Sequence, residues 1–142
     1  HAFDQEVLNH PDTPRTSTGK PRKSGKGYAK HQCSKWARES KDNFEWLVDH
    51  TLEMFTERMH RWPESKEHYT KTFIQWCKDN IDKTSIDKIP QTPYVVAISE
   101  VSECRKVVKD FNKLPVIEQY KHYIKIDKTF ATWTKRDKPY WY

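Results

Sequence analysis

From Ser40 onward the apolar residues Phe44, Leu47, Val48, Met54, Phe55 and Met59 recur at three- and four-residue intervals. That spacing puts them on one face of a helix and predicts a long amphipathic element over residues 40–61, with Ser40 as its N-cap. Pro63 closes it, and Ser65 is placed to cap a second helix over residues 65–79, where Tyr69, Phe73, Trp76 and Cys77 share a face. Residues 79–98 contain Pro90 and Pro93 and read as a connection ending in the apolar run Tyr94-Val95-Val96-Ala97-Ile98, either a short strand or packed extended chain. Val101, Cys104, Val107 and Val108 predict a helix over residues 99–111. Leu114-Pro115 then restarts another through Val116, Ile117, Tyr120, Tyr123 and Ile124. Asp127 is expected to cap a last turn holding Phe130 and Trp133. Period-two alternation is nearly absent, and neither an internal repeat nor a heptad pattern is present. The expected fold is therefore all-α: a small single-domain helical fold with irregular connections and a basic N-terminal loop or arm.

Composition adjusts this picture in two ways. The chain has 142 residues, enough for one core, and only 35% are apolar, but six Trp, seven Tyr and six Phe supply large buried areas. No apolar run reaches the roughly 18 residues that span a bilayer, and no signal pattern opens the chain, so no membrane partner is expected. Cys33, Cys77 and Cys104 are odd in number and widely spaced, which suits reduced thiols better than a disulfide framework. His31 and Cys33 lack two further ligands at zinc-site spacing, so no metal is expected; nor does any motif call for a cofactor. The segment Ala2-Phe3-Asp4-Gln5-Glu6-Val7-Leu8 reads as the tail of a helix, and an upstream segment is expected before it.

Charge divides the chain. Residues 1–12 carry −3, residues 13–38 carry +8, residues 39–104 carry −5 and residues 105–142 carry +6. Residues 9–30 hold all three glycines, three of the eight prolines and a run of cations including Arg22, Lys23 and Lys26. Such a segment has little to bury against the entropy cost of order. It reads as a flexible basic arm over residues 1–30, ahead of a helical domain over residues 31–142, and is either solvated or a phosphate-contacting element. Gly19 to Gly27 fails as a P-loop, because the glycine spacing is one too long and Gly27 stands where Ser or Thr should bind magnesium. The acidic stripe Asp42, Glu45, Asp49, Glu53 and Glu57 reads as a solvated helix face rather than an acid/base cluster.

Two constellations could carry chemistry. In the first, Tyr120-Lys121-His122-Tyr123-Ile124-Lys125 is followed by Lys128, Trp133, Lys135, Arg136, Lys138 and Tyr140-Trp141-Tyr142. Rings interleaved with cations suit nucleic acid, since rings stack on bases while cations neutralise phosphates. The candidate contacts are Arg22, Lys23, Lys26, Tyr120, Lys121, Tyr123, Lys125, Lys128, Trp133 and Arg136. The alternative is that Tyr120, Tyr123 and Trp133 are core and the lysines their solvated neighbours. In the second constellation, His31, Trp36, Arg38 and Ser40 lie around a helix start, and an arginine fork beside that end could hold a phosphate or a flipped nucleotide. Here too Trp36 could instead anchor the core and Arg38 make only surface ion pairs.

The block His31-x-Cys33-x-x-Trp36-Ala37-Arg38-Glu39-Ser40-x-x-Asn43-Phe44-x-Trp46-Leu47, with the later Tyr-x-x-Tyr and the closing Pro139-Tyr140-Trp141, resembles an uncharacterised protein family of tailed bacteriophages. That family in turn resembles the pyrimidine-dimer DNA glycosylases of the endonuclease V type, which are small, all-helical and DNA-binding. The resemblance covers most of residues 28–142. It implies base excision in which an N-terminal amine attacks the sugar and a glutamate assists. Both belong to a part of the pattern lying before His1, so neither catalytic group is identifiable in this chain. The glycosylases also carry a C-terminal aromatic-lysine segment near DNA, which residues 120–125 resemble.

The expected function is that of a phage-encoded nucleic-acid-binding protein related to DNA glycosylases, acting on or recognising DNA bases in the host cytoplasm. The alternative is a virion component or host-takeover protein that binds a phage or host protein through the same helical scaffold.

Overall fold

Ser40 sets the frame of the longest element. In the structure, a computed structural model that describes residues 2–24 and 27–142, Ser40 is extended at φ −150° and ψ 143°. It ends α2 (Gln32–Glu39) and caps α3 (Lys41–Arg61), its hydroxyl accepting from the N–H groups of Asp42 at 3.1 Å and Asn43 at 3.4 Å. The expected helix over residues 40–61 is thus present. It is preceded by α1 (Gln5–Asn9) and followed by α4 (Lys71–Asp79), α5 (Glu103–Val107) and α6 (Val116–Asp127). Single 3-10 turns lie at Ile81–Lys83 and Phe111–Lys113. Six α-helices and no strand occur among the described residues, and the fold is all-α.

The chain divides into two compact units, His1–Pro93 and Tyr94–Tyr142. In the first, α1, α3 and α4 enclose a core of Phe3, Leu8, Val48 and Cys77, with Phe44, Leu52, Phe73 and Ile74 packed against it. Phe44, Val48 and Leu52 lie four residues apart on α3, the spacing that brings side chains to one helix face. Phe3 meets Phe44 edge-on at 5.8 Å and Trp76 at 5.0 Å, so much of this core is ring against ring. The second unit has its own core of Ile98, Cys104 and Phe111, joined by Val96, Val108, Tyr120, Tyr123 and Ile126. The division falls inside the stretch that composition groups as one helical domain, because residues 85–92 return to α2 and α3 whereas the apolar run from Tyr94 enters the second core.

Several boundaries differ from the periodic reading. The second helix starts at Lys71 rather than near residue 65, and residues 63–70 hold turns and irregular chain instead. The helix expected over residues 99–111 contracts to the five residues of α5, because Ser102 at ψ 144° and Val108 at ψ 115° are both extended and close it at either end. The run from Tyr94 to Ile98 forms no strand.

The basic N-terminal loop is fastened where composition suggests mobility. Thr13, 2% exposed, donates from Oγ1 to the carbonyl of Val7 at 2.7 Å. The Gln5 amide donates to the Arg22 carbonyl and accepts from the Ser24 N–H, each at 2.9 Å. Arg22 donates from Nε to the Pro14 carbonyl at 3.1 Å and lays its guanidinium 3.7 Å above the Phe73 ring centre. One planar cation therefore does the work of an apolar anchor, a use open to Arg through ring stacking.

Among the described residues, no helix is long and apolar enough to cross a membrane.

Candidate functional site

The helix-start constellation is built into the first unit as a polar knot. Asn43 lies wholly buried on the first turn of α3. Its amide nitrogen donates to the Trp36 carbonyl and to Thr92 Oγ1, each at 2.7 Å, while its amide oxygen accepts from the Thr92 N–H at 2.9 Å. Thr92 Oγ1 donates onward to Glu39 Oε2 at 3.1 Å. Buried amides persist when paired in this way, because an unpaired one costs its full desolvation. Ser40 is also fully buried, and besides capping α3 it donates to the Ile89 carbonyl at 2.6 Å.

The four candidates at this junction occupy different environments. Trp36, 4% exposed, packs edge-on to Trp46 at 5.6 Å and donates from Nε1 to the Thr92 carbonyl at 3.2 Å. Arg38 donates to the Ala29 carbonyl at 2.9 Å. His31 is exposed and caps α2, its Nδ1 accepting from the Cys33 N–H at 3.2 Å. These contacts tie loop, α2 and α3 to the returning segment 87–92. Asn43 and Thr92, which make the knot, do not stand out in the sequence, because their pairing spans 49 residues.

The ring-and-cation constellation sorts differently. Tyr120 belongs to the second core, its hydroxyl accepting from the Ala97 N–H at 2.9 Å and donating to the Val95 carbonyl at 3.2 Å. Tyr123 packs in the same core with the Lys128 ammonium 4.9 Å from its ring centre. Lys121 pairs with Glu118 at 2.7 Å, and this hydrogen bond holds its ammonium above the usual lysine pKa. Trp133 meets Tyr142 edge-on at 5.1 Å. Lys125 and Arg136 are exposed, as are Lys135 and Lys138, and Lys138 lies 4.6 Å from the Tyr142 ring centre. Of the basic-loop candidates, Arg22 donates to the Pro14 carbonyl and stacks on Phe73, Lys23 is exposed, and Lys26 lies outside the described residues.

In the second unit the rings most exposed to solvent are Phe130 and Tyr140, neither of which was among the candidate contacts. Phe130 is 76% exposed and Tyr140 is 96% exposed. Lys128 sits 5.6 Å from the Phe130 ring centre. Both rings fall outside the helical spacing that buries Tyr120 and Tyr123, and that break in periodicity is the signal that could have found them. Their unit carries ten Lys and Arg against six Asp and Glu, a net +4 over residues 94–142. The segment after α6 thus carries exposed rings and exposed cations.

Among the described residues, no group of three or more His, Cys, Asp or Glu is placed to hold a metal ion. The chain matches no protein-family model, no curated protein and no solved structure.

Proposed function

We propose that this is a nucleic-acid-binding protein, phage-encoded and related to DNA glycosylases, that recognises DNA bases through the segment following α6. The observation that carries the reading is the exposure of Phe130, with Lys128 5.6 Å from its ring centre, and of Tyr140 on a segment that also carries the exposed Lys135, Arg136 and Lys138. An exposed ring offers a stacking face to an unpaired base at no cost in side-chain burial, and neighbouring ammonium groups release counterions from phosphates. Tyr120 and Tyr123 contribute by holding the scaffold. The relation to glycosylases rests on the resemblance of residues 28–142, and what it supports here is binding rather than excision.

The test is fluorescence anisotropy with single-stranded DNA, intact duplex and duplex containing an unpaired or damaged base. Tyr140→Ala and Phe130→Ala should each weaken single-strand binding by about 1–3 kcal/mol, roughly fivefold to 150-fold, with a smaller effect on intact duplex. Wild-type protein that binds none of the three at low salt overturns the proposal.

A second reading, a virion or host-takeover protein binding a protein partner, is favoured by a different observation. On the C-terminal half of α3, Met54 is 58% exposed and Trp62 just beyond it 47%, beside an apolar hollow also lined by Phe55. Exposed apolar groups gathered in this way are common at protein interfaces.

A further inference from the structure

The first unit contains a cavity of about 430 Å³ with walls from Phe3, Val48, Phe73 and Ile74. This lies within the roughly 300–1,000 Å³ range of small-molecule sites. Cys77 also lines it, and burial pushes that thiol up to about 12, the nearby Arg22 opposing the rise, so the sulfur is neutral and adds to the apolar surface. Among the described residues, the charged groups lining it are both cations, Arg22 and Lys23, with no acid. That is notable in a unit whose α3 carries five acids along one side. Arg22 has five N–H donors and gives one to the Pro14 carbonyl and one to the Arg15 carbonyl, which leaves it further donors. Lys23 is exposed and makes no ion pair among the described residues.

We propose that this cavity binds a small amphiphile, an unbranched alkyl chain ending in one anionic head group. The chain would replace water against the rings and aliphatic walls, and the head would meet the ammonium of Lys23 and the remaining N–H groups of Arg22. Apolar burial supplies most of the affinity, while the two cations select an anion over a neutral group of equal length. This site lies in the first unit and is independent of the nucleic-acid reading, which rests on residues of the second.

The experiment titrates the full chain with decanoate, decyl phosphate and decanol below their aggregation thresholds, following the methyl NMR signals of Val48 and Ile74 and the heat of binding. Both anions should bind and shift those signals, at affinities above that of decanol; the two anionic arms separate a carboxylate from a phosphate ligand. Lys23→Gln, a change at an exposed position, should weaken decanoate by roughly threefold to tenfold and leave decanol unchanged, the size expected of a partly exposed charge contact. Ile74→Phe, which reduces the cavity volume, should weaken all three ligands. An unchanged thermal midpoint in Lys23→Gln confirms that the loss is one of binding. Equal affinity for decanol and decanoate, absence of shifts at Val48 and Ile74, or indifference of decanoate to Lys23→Gln each overturns the proposal.

Discussion

At the scale of single residues, burial decides what a polar side chain does. Asn43 is one residue on a 21-residue helix, yet three hydrogen bonds converge on its buried amide. Asn43→Ala should therefore destabilise the protein by about 2–4 kcal/mol, because the Trp36 carbonyl and both Thr92 groups lose a partner together. Urea denaturation measures this, and a loss below about 1 kcal/mol would show that the knot relaxes around the gap. The three cysteines differ for the same reason. Cys33 is exposed, while burial pushes Cys77 up to about 12 and Cys104 up to about 11, the latter also through its hydrogen bond to Asp127. A thiol reacts as its thiolate. A colorimetric thiol titration of native protein at mild alkaline pH should find one fast cysteine and two that react only on unfolding. Since both buried thiols have folded values above the ordinary 9.0, their contribution to stability is full below pH 9.0 and is lost as pH rises towards those folded values.

At the scale of elements, α5 depends on a side chain from another helix. Ser102 precedes it without a side-chain cap hydrogen bond, and the exposed first-turn donors are met instead by Asp127 at the end of α6. Asp127 accepts from the Glu103 N–H at 2.7 Å and from the Cys104 N–H at 2.9 Å. Partial burial acts to raise the carboxyl pKa. The hydrogen bonds from Cys104 and Glu103, with Lys128 close by, outweigh it, so Asp127 titrates below its ordinary 3.8. A lowered folded value means that the stabilisation is present above pH 3.8 and fades as pH falls through the folded pKa. Asp127→Asn keeps one accepting oxygen and loses the charge. The stability gap between wild type and this variant should be full near neutral pH and narrow in acid; thermal melts across that range check it, and a gap that widens in acid would contradict the role. Residues 103–107 are too few to form a helix alone, which is why the cap matters more here than on α3.

At the scale of the whole molecule, charge and exposure coincide in the second unit. Residues 94–142 carry +4 of the chain's net +6. Four of its cations are already paired: Arg105 with Glu100, Lys106 with Glu103, Lys113 with Asp110 and Lys121 with Glu118. An already paired lysine offers a phosphate less than an unpaired one. If the protein binds DNA as proposed, Lys125→Gln should lower the salt slope of that binding by about one unit, while Lys121→Gln should change it less, because only the former releases a counterion in full. Affinities measured across a salt series check this, and equal slopes for the two variants would remove Lys125 from the interface.

What the sequence determined by itself was whatever depends on near neighbours. The helical period of Phe44, Leu47, Val48 and Phe55, the cap at Ser40 and the restart at Pro115 are read within a few residues of themselves, and α3 and α6 appear where that period places them. The all-α class follows from the same local signal. Tertiary structure decided the rest, because it turns on contacts that sequence spacing does not encode. Tyr120 and Tyr123 became core, and Phe130 and Tyr140 became surface, although all four stand among lysines in one basic segment. Arg22 reads from the sequence only as one cation of a basic run, and it is the fold that sets its guanidinium over Phe73, 51 positions away. The pairings of Asn43 with Thr92 and of Cys104 with Asp127 join residues 49 and 23 apart. Each needs the chain to return before a buried polar group can be satisfied, and that return is a property of the packed molecule rather than of any local pattern.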